Sequence, residues 1–217
     1  MAWKKRTDQI RGLAEGLVKI GALQFGTFTL PDGSESSYFI NLRGLPSYPG
    51  VYRLVIDSMA SLVVSKAPKA DALCGAPITG LTIAAPVAIA VGKPLVYTRM
   101  SRQASERVVE GEMRPGWKVS VLDDLATTGR TILTSAKAVE QEGGEVGQAL
   151  VLIDRLEGAR EAVGRKGIAL HAFTDVMELA DTLYSMELIS ESNLKAITKS
   201  VGGRPGTAGK KPAQKRK

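Results

Sequence analysis

Apolar residues recur along this chain with two different spacings, and both occur in one central stretch. Residues 119–122 form a short apolar run, interrupted only by Ser120, which is typical of a short buried strand. Two adjacent carboxylates, Asp123 and Asp124, follow at the point where such a strand should end. A hydroxyl-rich turn with one glycine comes next, and the spacing then becomes helical, with apolar residues at Ile132, Leu133, Ala136 and Val139. The stretch therefore predicts a strand, an acidic pair, a loop and a helix, in that order.

The same two spacings predict the remaining elements. Helical spacing predicts further helices over residues 8–20, 51–65, from Leu81 onward, and over 158–166, 175–186 and 190–201. Short apolar runs predict strands over residues 70–75, 93–99, 149–155 and 168–173. Residues 101–111 are polar and charged without a period, which predicts a mobile loop. Because strands and helices alternate, we expect an α/β fold in which a central, mostly parallel sheet is flanked by helices on both faces.

An alternating pattern precedes this predicted core. Apolar residues alternate over 22–30, and a second run spans 37–42. The residues between the two runs include the turn Pro31, Asp32 and Gly33. We expect a β-hairpin here, forming a small N-terminal hood over about residues 21–45.

Composition and charge separate the chain into a core and a tail. The 217 residues suffice for one domain with a real core, and 44% hydrophobic with 24% charged residues is ordinary globular usage. Residues 202–217 contain no acidic residue and are rich in glycine; their six basic residues are Arg204, Lys210, Lys211, Lys215, Arg216 and Lys217. Without them, 23 basic residues face 22 acidic ones, so the formal charge of +7 belongs mostly to the tail. We expect one domain over residues 1–201 and a disordered basic tail over 202–217, with nucleic acid unlikely as a partner except through that tail.

The remaining global signals concern location. The single cysteine, Cys74, excludes an intrachain disulfide and favours a reducing compartment. The longest apolar run, over residues 81–91, contains Pro86 and is too short to span a bilayer. The first residues lack the apolar core of a signal peptide. We therefore expect a cytoplasmic protein without membrane partners.

The chemistry of the central stretch suits a sugar phosphate. In open α/β sheets, ligands bind at the carboxyl ends of the strands, where Asp123 and Asp124 could accept hydrogen bonds from sugar hydroxyls. Residues 126–131 offer successive backbone N–H groups and three threonine hydroxyls at the start of a helix, an arrangement that suits a phosphate. The alternative is an ordinary strand-to-helix turn with a capping threonine and a solvated aspartate. The whole arrangement favours a ribose-phosphate clamp.

This stretch resembles the phosphoribosyl-pyrophosphate (PRPP) signature of the type I phosphoribosyltransferases, with their apolar run, Asp-Asp pair and Thr-Thr-Gly turn. Other segments resemble orotate phosphoribosyltransferase, in that family's order. Residues 25–30 and 37–39 resemble its hood, and residues 74–80 resemble its pyrophosphate loop. Glu110-Gly111, Pro115-Gly116 and residues 152–158 also match, and the likeness covers roughly residues 17–183.

The resemblance implies a reaction and a set of site residues. Orotate would be joined to PRPP, giving orotidine 5′-monophosphate and pyrophosphate, with Mg²⁺ held through PRPP and through Asp124 by way of water. The implied catalytic residues are Asp123, Asp124, Arg99 and Arg102. The implied PRPP-binding residues are Asp123, Asp124, Ala126, Thr127, Thr128, Gly129, Arg130, Thr131, Thr79 and Gly80. The implied orotate-binding residues are Arg155, Phe39 and Thr127. The family also implies a homodimer in which one subunit's loop closes over its neighbour's site.

The chain departs from the family pattern where cations are expected. In the loop after Arg99, the family's lysines and its histidine or other polar residue are replaced by Met100, Gln103 and Ser105. Pro31 and Thr79 also stand where many relatives have lysine. Arg102 and Arg107 could supply the missing charge. Three functions remain open on these grounds: an orotate phosphoribosyltransferase, a non-catalytic or weakly active PRPP- or nucleotide-binding regulator, and a phosphoribosyltransferase for another base.

Overall fold

A six-stranded sheet forms the centre of this computed structural model, which describes residues 2–29, 35–99 and 108–202. In chain order its elements are α1 (Ala2–Lys19), β1 (Leu23–Thr29), β2 (Glu35–Ile40), a 3₁₀ turn (Leu45–Ser47), α2 (Pro49–Lys66), β3 (Ala72–Gly75), α3 (Thr79–Val91), β4 (Leu95–Thr98), β5 (Val109–Glu110), β6 (Lys118–Ala126), α4 (Arg130–Gln141), β7 (Glu145–Asp154), α5 (Ala159–Gly164), β8 (Ala169–Asp175), α6 (Val176–Ser185) and α7 (Glu191–Gly202).

The strand order explains where a ligand can bind. The order is β5-β4-β3-β6-β7-β8, and every neighbouring pair is parallel except β4 with β5. From β3 the chain moves outward to β4, whereas from β6 it moves the other way to β7 and β8. In sheets of this kind the crevice at such a reversal is the usual binding place. The predicted fold class is confirmed, and the reversal lies between β3 and β6.

Each face of the sheet buries its own apolar cluster, because strand side chains point alternately to opposite faces. On one face, α1, α2, α3, α6 and α7 cover residues such as Leu73, Leu122 and Leu150. On the other face, α4 and α5 cover residues such as Val121 and Val151. The central strands are therefore apolar on both sides, which is why they appear in the sequence as continuous apolar runs.

The N-terminal hairpin packs on this core as a separate small sheet. Strands β1 and β2 pair antiparallel, with Leu23 opposite Ile40. The side chains of Leu23, Tyr38 and Ile40 are buried in the same cluster as those of α1 and α7. Hood and core thus share one hydrophobic interior.

The structure differs from the predicted element bounds in three informative places. Helix α1 begins at Ala2 rather than at residue 8, and its Arg6 donates to both carboxylate oxygens of Glu178, at 2.6 and 2.8 Å. Strand β6 runs on through the acidic pair to Ala126, because β7 continues to pair with it there. Within residues 101–111, predicted as a loop, the described part contains β5, which pairs with β4. Tertiary contacts, which have no local pattern, extend all three elements.

Several predictions fall outside the described residues. They concern the turn at Pro31, the loop over residues 100–107 with Arg102 and Arg107, and the tail beyond residue 202.

Candidate functional site

A cavity of about 50 Å³ opens at the carboxyl end of β6. Its lining consists of Asp123, Leu125, Ala126, Thr127, Thr128, Gly129, Arg130, Thr131 and Ile132. All the residues that were predicted to bind PRPP from the central stretch line this cavity, except Asp124, which lies beside Asp123 on the same strand. The structure thus brings the predicted clamp together around one concave space.

The loop of the clamp is built for close approach of an anion. Gly129 is the residue before α4 and has φ +77°, in the left-handed region that favours glycine. A Cβ there would also lie 2.9 Å from Cγ1 of Val163 on α5, so a larger residue would push the loop off the helix. No side chain caps the start of α4, and its first turn has no acidic residue. The N–H groups of that turn remain available to a phosphate.

The acidic pair combines a buried Asp123 with a half-buried Asp124, and the two carboxyl groups lie close together. Asp123 is 4% exposed, and its Oδ1 accepts a hydrogen bond from the backbone N–H of Asp124 at 2.9 Å. Burial first, and then the neighbouring Asp124, raise the pKa of Asp123 well above its ordinary value. Burial also raises the pKa of Asp124, although the nearby Arg43 opposes the rise. Both carboxylates would gain from a ligand that brings hydroxyl donors or a cation.

Helix α3 brings a second helix start to the same place. Gly80, in its first turn, packs directly on β6, where a Cβ would lie 2.8 Å from both Oδ1 of Asp123 and the carbonyl oxygen of Leu122. The start of α3 has no side-chain cap and no acidic residue in its first turn. Thr79 is the first residue of this helix, and the preceding Pro77–Ile78 peptide bond is cis. The predicted residues Thr79 and Gly80 therefore lie beside the acidic pair.

Arg155 lies on the neighbouring strand end. Its backbone N–H donates to the carbonyl of Ala126 at 2.9 Å, so it follows β7 directly beside the clamp. The side chain is buried under the hood, with Cζ 4.9 Å from the ring centroid of Tyr38 and Nη2 3.0 Å from Oε1 of Glu157. Phe39, predicted as an aromatic contact for orotate, stacks on Phe28, with ring centroids 5.5 Å apart. Successive residues of a strand point to opposite faces, so Tyr38 and Phe39 diverge.

Arg99 follows β4, at the same edge of the sheet. Its Nε donates to Oε1 of Glu110 on β5 at 2.9 Å, and both side chains are partly exposed. Among the predicted catalytic residues, Arg99 is thus separated from β6 by β3, and Arg102 lies outside the described residues.

Two groups that could carry nucleophilic or acid–base chemistry are unsuited to it here. Burial raises the pKa of Cys74 to about 12, so its thiol stays protonated at neutral pH. Burial, with Lys66 and Arg160 nearby, lowers the pKa of His171 in β8 and favours the neutral imidazole. What the site offers is carboxylates, hydroxyls, backbone N–H groups and guanidinium groups, which suit binding and charge stabilisation.

The carboxylates fit Mg²⁺ only together with substrate oxygens. Mg²⁺ prefers six oxygen ligands and commonly binds through one or two carboxylates plus phosphates. In the described part of the chain, no group of three or more His, Cys, Asp and Glu residues could hold a metal ion. Asp123 and Asp124 can therefore contribute oxygens, and a substrate would supply the rest.

Three residues near the site were missed by the sequence interpretation. Tyr38 could have been found from the hood's alternation, which places it on the inner side with Ile40. Glu157 lies in the segment 152–158, which resembles the family, but the sequence interpretation assigned it no role. Arg43 has no signal in the sequence, because only folding brings it near Asp124. None of the described helices is long and apolar enough to cross a membrane.

Comparison with known proteins identifies the family. No family model matches the chain. The chain is 36% identical over 192 residues to the orotate phosphoribosyltransferase of Cenarchaeum symbiosum, covering 87% of this chain and 96% of that protein. The crystal structure of orotate phosphoribosyltransferase from Aeropyrum pernix superposes with a TM-score of 0.69 at 35% identity, covering 81% of this chain and 99% of that one. The Mycobacterium tuberculosis enzyme in complex with PRPP superposes with a TM-score of 0.63 at 26% identity, covering 79% and 98%. The chain therefore belongs to the orotate phosphoribosyltransferase family.

Proposed function

We propose that this protein transfers the 5-phosphoribosyl group of PRPP to orotate, giving orotidine 5′-monophosphate and pyrophosphate in pyrimidine biosynthesis. The observation that carries the proposal is the cavity at the strand reversal. There a buried acidic pair, two uncapped helix starts and a buried guanidinium group lie on adjacent strand ends. These groups match two neighbouring ligands. One is a sugar with hydroxyl groups and a phosphate group at each of two ends, and the other carries a carboxylate.

PRPP would bind along the ends of β3 and β6. The 5′-phosphate would lie on the N–H groups and hydroxyls of residues 126–131, at the start of α4. Asp123 and Asp124 would accept hydrogen bonds from the ribose hydroxyls, directly or through water. The pyrophosphate would lie at Thr79 and Gly80, where α3 begins. The support is that one packing contact, Gly80 on Asp123, holds these two parts of the site together.

Orotate would bind between the clamp and the hood. Its carboxylate would pair with Arg155, which follows β7 beside Ala126. Thr127 lies in the loop that follows β6 and would contact the ring of orotate. Phe39 remains a candidate for an aromatic contact on the hood, next to Tyr38.

Catalysis would consist mainly of positioning and charge stabilisation. As the C1–O bond breaks, its electron pair goes to the departing pyrophosphate and positive charge builds on the ribose. A ring nitrogen of orotate then forms the new bond to C1, and the proton that it carried is released to water. The start of α3, Arg99 and Arg102 would stabilise the charge that develops on pyrophosphate. Mg²⁺, held through PRPP and through Asp124 by way of water, would supply further positive charge at this part of the site.

The first experiment measures the loss of orotate in the presence of PRPP and Mg²⁺, for the wild type and for Asp124→Asn. Turnover that this substitution lowers at least about a hundredfold would support the assignment, because it removes a charge at the developing ribose cation. Binding of PRPP without turnover would instead indicate a regulator of the same fold. Preference for uracil or a purine over orotate would indicate another acceptor base.

We further propose that two copies associate through the outer face of α3. This helix has no charged residue, and Ile89 on it is 85% exposed. Ile78, immediately before it, is 71% exposed. A dimer formed there would cover this apolar surface, which adjoins the proposed pyrophosphate site. The single buried cysteine, Cys74, supports a cytoplasmic location.

A further inference from the structure

The guanidinium group of Arg155 has one edge without hydrogen bonds. The residue is 5% exposed, and within the described part of the chain neither Nε nor Nη2 has a hydrogen-bond partner. These two nitrogens share the edge that receives a carboxylate through two parallel hydrogen bonds. Buried donors are normally paired, because leaving them unpaired is costly. This edge is therefore prepared for an anion.

Glu157 lies at that edge but fills it poorly. Its Oε1 is 3.0 Å from Nη2 of Arg155, and the two side chains are 8% and 6% exposed. The contact balances the buried charge, but it lacks hydrogen-bond alignment. An ion pair of this kind compensates the buried charge of the guanidinium group. It leaves unused the two parallel hydrogen bonds that the Nε–Nη2 edge can donate.

The backbone between the two residues is arranged to bring them together. Leu156 has φ +58°, a left-handed conformation that is unfavourable for a leucine. Its N–H donates to Oδ1 of Asp154 at 2.9 Å, and Asp154 is paired with Arg160 at 3.3 Å. From the hood, the ring of Tyr38 covers the guanidinium group. A turn held in this way indicates that the pairing of Arg155 with Glu157 is a built feature of the site.

We propose that Glu157 is an internal carboxylate that occupies Arg155 in the free protein and is displaced by the carboxylate of the acceptor base. The proposal rests on the assignment of Arg155 to orotate. Binding would then exchange one ion pair for another, with two aligned hydrogen bonds gained. An acceptor without a carboxylate cannot take the place of Glu157, so the exchange selects orotate over neutral pyrimidines. Glu157 is in this sense a specificity-determining residue.

The test compares wild type with Glu157→Gln, which keeps the shape of the side chain and removes its charge. Orotate binding is measured by calorimetry, and thermal midpoints are measured with and without orotate. The variant should bind orotate roughly tenfold more tightly, because the competing carboxylate is gone. Without orotate it should melt below wild type, since Arg155 is left without an anion, and orotate should raise its midpoint more than that of wild type. Glu161→Gln, an exposed change of the same charge on α5, should alter neither quantity.

Equal or weaker orotate binding by Glu157→Gln would overturn the proposal, and so would an equal gain in affinity for uracil. If Glu157→Gln does not fold, Glu157→Asp, with its carboxylate withdrawn from Nη2, should still bind orotate more tightly than wild type, and failure to do so overturns the proposal. The binding measurement needs no turnover. If the wild type binds orotate but does not turn it over, only the functional assignment is contradicted. If the wild type is active and Glu157→Gln binds orotate with the same affinity, only this inference is contradicted.

Discussion

At the scale of single residues, the acidic pair determines the chemistry of the site. The two carboxyls are adjacent, and burial raises the pKa of both. For Asp123, the neighbouring charge of Asp124 raises the pKa further. Such a pair is unfavourable in the free protein. A ligand that donates hydroxyl hydrogens, or carries a cation, would relieve the repulsion, so the same burial that destabilises the fold would strengthen binding of the proposed ribose.

We expect PRPP affinity to fall as pH is lowered through the raised pKa of the pair. The free protein holds a proton there at a pH where an isolated aspartate would have lost it, whereas bound ribose hydroxyls favour the ionised form. Binding should therefore release protons, which calorimetry in buffers of different ionisation enthalpy measures. Asp123→Asn is the control, since PRPP's own titration is common to both proteins. An equal release by the variant would contradict the expectation.

Asp123→Asn should raise the thermal midpoint while it lowers turnover. A carboxyl whose pKa is raised in the folded state destabilises that state as pH rises from its unfolded pKa to its folded pKa. The amide avoids this cost, and its oxygen can still accept the N–H of Asp124. The midpoint should rise at neutral pH, by roughly 2–4 °C per kcal/mol relieved. The difference should vanish in acid, where Asp123 is protonated in both states; a gain that persists there would argue against burial of charge as its cause.

At the scale of elements, the site depends on how closely α3 packs on β6. The approach is possible because Gly80 has no side chain, and the first turn of α3 consequently lies against the acidic pair. Periodicity predicted both elements. It did not predict that they touch at this point, because the contact joins segments more than forty residues apart.

Gly80→Ala should displace α3 and weaken PRPP binding. Its Cβ would lie 2.8 Å from backbone and side-chain oxygens of β6, and forcing an atom into a packed contact costs about 1–3 kcal/mol. We expect a higher KM for PRPP, by about tenfold, together with a lower thermal midpoint. Gly50→Ala, in the first turn of α2 with open space around it, is the matched control and should change neither. If Gly80→Ala has the KM and the thermal midpoint of wild type, the contact between α3 and β6 can accommodate a methyl group.

At the scale of the whole molecule, two features have no role in the proposed site: the apolar outer face of α3 and the basic residues in the sequence after residue 202. The first is uncharged although it is exposed. The second holds most of the net charge.

Ile89→Lys should convert a dimer into monomers. A lysine pair at the centre of an apolar interface adds both desolvation and repulsion. Light scattering with size-exclusion chromatography measures the mass, and Leu188→Lys, on the segment between α6 and α7, is the control. A wild type that is already monomeric, or an Ile89→Lys protein that stays dimeric, would remove this face as the interface.

Deletion of residues 203–217 should leave the thermal midpoint and the turnover of orotate unchanged, because the described core ends with α7 at Gly202. Any salt-sensitive RNA binding by the full chain should be lost with these residues. Lower turnover after deletion would show that the tail belongs to the catalytic unit.

The sequence by itself determined the fold class and the family, and it placed the residues of the proposed ligand clamp in one stretch, because these depend on local signals. A buried strand, an acidic pair and a glycine turn are contiguous in the chain, and strand–helix alternation implies a parallel sheet. It did not determine which distant side chains meet. Tyr38 over Arg155, Arg43 near Asp124, and the extension of β6 and α1 follow from packing between segments far apart in sequence. The local pattern specifies how each segment folds and which residues it presents. Contacts between segments depend on their separation in space, which is set only when the whole chain folds.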